Sequence, residues 1–331
     1  MIQGFFQSGV GEGRPIDAPF FCYRGGKARL RRFIVRWCRL NGSTYVEPFA
    51  GRANVFFLMR YLAQFKAYHL NDIQTIPFLR ALLNYDGCKL PTLTKDEAVR
   101  LSCEGDGLAI LLEPLIVWAG GLPSKSNFTG SRGHNLRTYR EHLLLASQLL
   151  RGVNLTSEDA LSVVDLYSED PKAFLYIDPP YLGARLKEYN SLSVDLLGLW
   201  KKLSTAKCSW LYSESACHRI SKHLGPPLAC FFSVPINASP KSKVRYVREY
   251  LWSNYSWTPR RMDFGDRDRS IVSTSHSLIQ SFGKLTFDAW KRVVPSTWSN
   301  ATVLAQFNRL SCWPDYYFDG KSLSVCGGEV P

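Results

Sequence analysis

The chain has 331 residues, 45% hydrophobic and 21% charged, the balance of an ordinary globular protein able to bury a substantial core. Lysine and arginine number 41 against 28 acids, and the resulting net charge of +13 points to a polyanionic partner such as nucleic acid. The 9 cysteines are scattered without a C-x-x-C pair, which argues against a zinc ribbon or a disulfide framework and fits a reducing cytoplasm.

At the N-terminus, MIQGFFQSGVGEGRPIDAPF has no basic segment followed by a long apolar core, so no signal peptide is expected. The next segment, FCYRGGKARL at 21–30, joins Tyr23 to a glycine pair ending in Gly26, then Lys27. Open backbone amides beside a lysine suit a carboxylate or phosphate, although a plain turn with a surface lysine reads equally well. TYVEPF at 44–49 then predicts a strand, and it runs into the small-residue turn FAG and a helix start. Gly51 lets the backbone approach a ligand closely, but neither G-x-G-x-x-G nor G-K-[ST] is present. A second strand, AYHLND at 67–72, ends in Asp72, about twenty residues further on, where α/β nucleotide sites place an acid for ribose hydroxyls. The same Asp72 would also serve as a helix N-cap.

From 73 to 160 strand-like runs give way to helical periods such as IPFLRALLNY and RTYREHLLLASQLL, which predicts a mainly helical insert. LAILLEPLIVWAGGL at 108–122 is interrupted by Glu113 and Pro114, is too short to cross a bilayer, and reads as a core helix. The Gly/Ser-rich stretch at 120–137 carries Lys125, Arg132 and Arg137, either as a solvated loop or as a nucleic-acid contact.

FLYIDPPYLG at 174–183 ends a strand in a carboxylate, two prolines and a ring. A simple turn is one explanation, since proline cannot donate to a sheet ladder. The alternative is a rigid corner at the strand's carboxyl end, aiming Asp178, the Pro179 carbonyl and Tyr181 into a cleft beside Pro180. SWLYSES at 209–215 predicts another strand, and ACFFSVP with REYLWSNY at 248–255 predicts an antiparallel pair closing the sheet. Between them Lys241, Lys243 and Arg245 suit phosphate contacts. The whole alternation predicts an α/β fold with a mostly parallel sheet covered by helices. Beyond Thr258, TPRRMDFGDRDRS is a linker candidate, and the remainder has no clear period.

Taken in order, YRGGK, YVEPFAGRANVFF, LND, a helical insert, VVDLY, FLYIDPPY and REYLWSNY resemble the Dam-type DNA adenine N6-methyltransferases, including phage-encoded members, over residues 20–257 or so. The resemblance implies a Rossmann-like methyltransferase fold whose catalytic domain is 1–72 with 160–257, a target-recognition insert at 73–159, and an extension at 258–331 of no assigned role. It also implies S-adenosylmethionine as cofactor and double-stranded DNA as partner, with no metal, in a prokaryotic or phage-infected cytoplasm. Asp178, Pro179, Pro180 and Tyr181 would form the catalytic motif, with Asp178 and the Pro179 carbonyl accepting from the adenine amine and Tyr181 stacking on its ring. Glu47, Phe49, Ala50 and Gly51 would hold the cofactor, Asp72 its ribose and Asp165 its adenine edge. Tyr23, Gly26 and Lys27 would reach its methionine end. Two departures stand out: Ala53 replaces a glycine usual in the family, and the insert does not match the family's base-reading hairpin. Cytosine N4 or RNA adenine methylation, or a non-catalytic DNA-binding relative, are the alternatives.

Overall fold

Seven strands form the central sheet of this computed structural model: β1 (Thr44–Glu47), β2 (Ala67–Asn71), β3 (Asn154–Thr156), β4 (Ala173–Ile177), β5 (Ser209–Glu214), β6 (Ala229–Ser233) and β7 (Val247–Ser253). The structure describes residues 19, 21–22, 26–28, 30–39, 42–62, 65–116, 135–181, 194–215, 217–233 and 247–256, with pieces at 285–286, 307, 316–318 and 322–325. The sheet order is β3-β2-β1-β4-β5-β7-β6. Pairing is parallel from β3 through β5, and β7 is antiparallel to both β5 and β6.

The helices between the strands are α1 (Arg31–Trp37), α2 (Asn54–Leu62), α3 (Ile76–Leu83), α4 (Lys95–Cys103), α5 (Gly107–Ile116), α6 (Leu136–Leu150), α7 (Ala160–Ser168), α8 (Leu196–Thr205) and α9 (Cys217–Leu224). Because strand side chains alternate, the buried strands feed two separate cores. Tyr45, Tyr68, Phe174, Tyr176, Leu211 and Leu251 pack with the helices from α1 to α6. Val46, Leu175, Ile177, Trp210, Tyr212 and Trp252 pack with α7, α8 and α9 on the other face. Rings dominate the first face: Tyr45 stacks on Phe174 at 6.0 Å and meets Phe65 at 5.5 Å.

One feature departs from the sequence expectation. Strand β3 falls inside the segment expected to be mainly helical and without strands, and it extends the sheet beyond β2. Its three residues, NLT, are half-exposed and lack the apolar run that marks β2 and β4. Leu79 of α3, Leu112 of α5 and Leu143 of α6 share one core with Phe56 of α2. Helix α5 carries Glu113 and Pro114 in its buried part. Beyond residue 258 the described pieces include a small sheet, with β8 (Leu285–Thr286) and β9 (Tyr316–Phe318) flanking β10 (Ser322–Val325). Phe307 is fully buried in the second core.

Candidate active site

The carboxyl ends of the parallel strands carry the polar groups that the two cores exclude. Strand β4 is buried at every position, from Ala173 to Ile177, and delivers Asp178 at its end. Pro179 is buried and Pro180 half-buried, and neither can extend the ladder, so the chain turns there with φ fixed by the rings. The Pro179 carbonyl accepts no hydrogen bond from the described residues.

Lys27 reaches Asp178 from the N-terminal segment, with its ammonium 2.6 Å from Oδ1 and 2.8 Å from Oδ2. That segment is pinned on both sides of the glycine pair. Upstream, Phe21 exchanges two hydrogen bonds with the Asn54 side chain at the start of α2, at 2.8 and 2.9 Å, and the Arg52 guanidinium donates to the Cys22 carbonyl. Downstream, the amides of Leu30 and Arg31 donate to the Lys27 carbonyl as α1 begins. The same ammonium lies 3.3 Å from Glu249 Oε1 and 4.6 Å from the centre of the Tyr181 ring. Ser213 at the end of β5 donates to Asp178 Oδ1 at 2.9 Å, and its hydroxyl is 3.1 Å from that of Tyr176.

A carboxylate has about four acceptor sites. Among the described residues, Lys27 and Ser213 fill both on Asp178 Oδ1, Lys27 fills one on Oδ2, and one remains on Oδ2. Burial raises the pKa of Asp178 above the ordinary aspartate value, while Lys27 and Ser213 pull it down. Burial pushes Glu249 up to about 7 against the pull of Lys27, with Asp178 adding to the rise. Glu47, 1% exposed, is lifted by burial to about 8, although the Tyr45 hydroxyl donates to its Oε1 at 2.6 Å. Burial works against the Lys27 charge, but Asp178 and Glu249 overcome it and raise the pKa above that of an ordinary lysine.

Around the first turn, Gly51 takes the left-handed conformation at φ 53° and donates its amide to Asp72 Oδ2 at 3.0 Å. Asp72 Oδ1 accepts from the amides of Gln74 and Thr75, both at 2.8 Å, which closes the turn before α3, whose N-cap is Thr75 and not Asp72 as the sequence allowed. Among the described residues, one site on Oδ2 stays open toward a further donor. Ala50 is buried and Phe49 half-buried in the same turn. Ala53 also sits in the left-handed region, at φ 55°, which explains why glycine suits this position.

Asn71, just before Asp72, ties three loops together. Its amide donates to the Pro48 and Glu158 carbonyls at 3.0 Å each, and its Oδ1 accepts from the Glu158 amide and the Thr156 hydroxyl at 2.8 Å each. Because Thr156 gives its proton to Asn71, it accepts from His69 Nε2, 2.7 Å away, which leaves His69 Nδ1 to accept from Tyr167 at 3.0 Å.

Of the residues singled out by sequence, the structure brings together Lys27, Asp178 and Tyr181, and separately Gly51 with Asp72. Gly26 is half-buried beside Lys27. Asp165 joins neither group: it is exposed on α7, where it pairs with Lys202 of α8. Arg137 is 92% exposed on α6 and lies 3.8 Å from Glu141. Tyr23, Lys125, Arg132, Lys241, Lys243 and Arg245 lie outside the described residues. Sequence reasoning missed Ser213, Glu249 and Asn71. Each is a polar residue inside a strand, which is the signal that could have marked them. Among the described residues there is no metal-ligating cluster and no helix long and apolar enough to cross a membrane.

A mostly parallel sheet with an antiparallel strand next to its edge, a glycine turn after β1, an acid after β2 and an Asp-Pro-Pro-Tyr corner after β4 are consistent with a Rossmann-like methyltransferase fold. Residues 23–85 match the family model described as D12 class N6 adenine-specific DNA methyltransferase, so this part of the chain is similar to that family. The matched span holds Lys27, the Gly51 turn and Asp72. No curated protein matches the chain.

Proposed function

We propose that this protein transfers the methyl group of S-adenosylmethionine to the N6 amine of an adenine flipped out of double-stranded DNA. The observation that carries the reading is Asp178, fixed by two prolines at the end of β4 and keeping one acceptor site on Oδ2.

The cofactor fits the donor set. Glu47 at the end of β1 is a buried acid and Asp178 after β4 a partly buried one, two carboxyl groups whose charged forms a cationic ligand would favour. Gly51, Phe49 and Ala50 would form its cradle, and Asp72 Oδ2 would accept from a ribose hydroxyl. Bound there, S-adenosylmethionine supplies a methyl on a positive sulfur, an electrophile that needs no metal.

The residues of the chain do the rest. The adenine amine is a poor nucleophile because its lone pair is delocalised into the ring. Asp178 Oδ2 and the Pro179 carbonyl would accept its two hydrogens, turning the lone pair out of the ring plane and stabilising the positive charge that develops on N6. As N6 forms its bond to carbon and sulfur keeps the bonding electron pair, N6 sheds a proton, which Asp178 can hold at Oδ2. Burial favours that step, since it raises the pKa of Asp178. Base flipping costs about a few kcal/mol, and stacking on the Tyr181 ring, worth about 1–3 kcal/mol, offsets much of it. Asp165 would contribute from the α7 surface only if the Lys202 pair opened.

The catalytic parts we assign to 1–72 and 160–257, and DNA recognition to 73–159, with Lys125, Arg132 and Arg137 on phosphates together with Lys241, Lys243 and Arg245. The test is transfer of labelled methyl to unmethylated DNA followed by nucleoside analysis. N6-methyladenine is expected. N4-methylcytosine, or binding without transfer, would replace this reading with one of its rivals. The variant Asp178→Ala is expected to lose transfer by at least about 100-fold while keeping most of its DNA affinity. Retained turnover would remove Asp178 from the mechanism.

A further inference from the structure

We propose that Glu249 is a positioning residue for methyl transfer, a second seat that draws the Lys27 ammonium off Asp178 when the adenine amine engages that carboxylate. The proposal rests on the reading of Asp178 as the acceptor for the amine.

As placed in the structure, Lys27 sits on the wrong group for catalysis. Its ammonium contacts both oxygens of Asp178, at 2.6 and 2.8 Å, and so neutralises the carboxylate that must stabilise positive charge on N6. Every increment of charge that develops on N6 is opposed by a like charge already on its acceptor. Glu249 offers the relief. Its Oε1 lies 3.3 Å from the same nitrogen, so a small movement transfers the closer contact from one carboxylate to the other.

Glu249 is otherwise hard to explain. It is 4% exposed, and its Oε1 accepts no hydrogen bond from the described residues. A buried carboxylate left part-satisfied is destabilising and calls for a reason. Its location supplies one: β7 runs antiparallel to β5, so the first half of β7, not the last, lies at the carboxyl ends of the parallel strands. Ser213 pairs with Leu251, and Glu249 stands two residues further along β7 toward the cleft, on the same face. Among the described residues, the groups that face Lys27 include Glu249 from β7, Asp178 and Tyr176 from β4 and its end, and the Tyr181 ring, while Asp178 in turn helps to raise Glu47 of β1. Burial holds Glu249 at about 7, so near neutrality it takes or releases a proton as Lys27 arrives or leaves.

The experiment is a double-mutant cycle on single-turnover transfer to unmethylated DNA at saturating cofactor, using wild type, Glu249→Gln, Lys27→Met and the double variant. Glu249→Gln is expected to slow transfer by about 10- to 100-fold, with DNA affinity and cofactor KM changed by less than about twofold. In the Lys27→Met background the same change is expected to alter the rate by less than about twofold. Glu249→Asp should recover part of the loss, and the limb of the pH profile near 7 should vanish in Glu249→Gln. Equal slowing in both backgrounds would overturn the proposal, because a merely structural Glu249 acts regardless of Lys27. A second readout needs no turnover: the side-chain nitrogen resonance of Lys27, identified by its absence in Lys27→Met and Lys27→Arg, should shift as the ligand-free wild type passes through about pH 7, and not in Glu249→Gln. A resonance indifferent to Glu249 overturns the proposal alone. A wild-type protein that makes no N6-methyladenine overturns the functional reading, and the role of Glu249 with it.

Discussion

Replacing Lys27 by methionine should destabilise the protein by an amount that grows with pH. Lys27 is 6% exposed and is the ammonium that Asp178 and Glu249 share. Methionine fills much of the same volume, so the loss is mainly of charge compensation. An uncompensated buried carboxylate takes up a proton instead of staying charged, and the free energy of doing so rises by about 1.36 kcal/mol per pH unit above the carboxyl's unfolded pKa. From the ordinary aspartate value of 3.8, neutralising Asp178 costs about 1.6 kcal/mol at pH 5 and about 4.4 kcal/mol at pH 7. Breaking a buried pair by removing one partner typically costs about 3–5 kcal/mol, which agrees with the upper figure. The sign is that of raised acids: without Lys27 their folded pKa values climb further, and stability drains away as pH rises from the unfolded value toward the folded one. Urea unfolding of wild type and Lys27→Met at pH 5, 6, 7 and 8 reads the effect directly. The gap should widen by about 1–1.4 kcal/mol per unit. A gap that stays constant across this range would refute the reasoning, since it would mean that Lys27 contributes packing and no compensation.

Four further outcomes are expected. Glu47 holds at about 8 a proton that an unfolded glutamate releases near 4.5, so it makes stability fall as pH rises between those values, and Glu47→Gln should flatten that slope in urea midpoints from pH 5.5 to 8. His69, lowered by burial below its usual 6.5, acts in the opposite sense and weakens the fold as pH drops beneath that value. Ala53→Gly should leave stability within about 1 kcal/mol of wild type, because relief at φ 55° opposes the loss of a buried methyl and added chain entropy, whereas Ala53→Val should lose about 2 kcal/mol or more in thermal unfolding. Asn71→Ala removes four hydrogen bonds and should destabilise by about 2–4 kcal/mol, with a cofactor-analogue Kd by calorimetry weakened about tenfold.

The strands of the sheet were legible where an apolar run ended in a turn signal, as in TYVEPF, AYHLND and FLYIDPP, because a strand buried on both faces leaves few alternatives for such a run. β3 was not, since three residues with a weak apolar signal find their pairing only through the already formed edge of β2. The antiparallel pair was expected, but not the insertion of β7 between β5 and β6, because strand order depends on contacts between residues far apart in sequence. In the same way Asp178 and Lys27 could be singled out from local motifs, while Ser213 and Glu249 acquire meaning only once register puts them on the same face as Asp178. Asp165 shows the converse: its neighbourhood in the sequence fits an adenine-binding acid, yet by the second turn of α7 the chain has left the strand ends and the carboxylate meets Lys202 instead.

Asn71 imposes a constraint on anyone who would re-engineer this scaffold. Because a single uncharged amide fastens the loops after β1, β2 and β3 to one another, no one of them can be exchanged for a homologous loop in isolation. A chimera that transplants the glycine turn must carry Pro48, Asn71, Thr156 and Glu158 as one cassette, although they span more than a hundred positions of the chain.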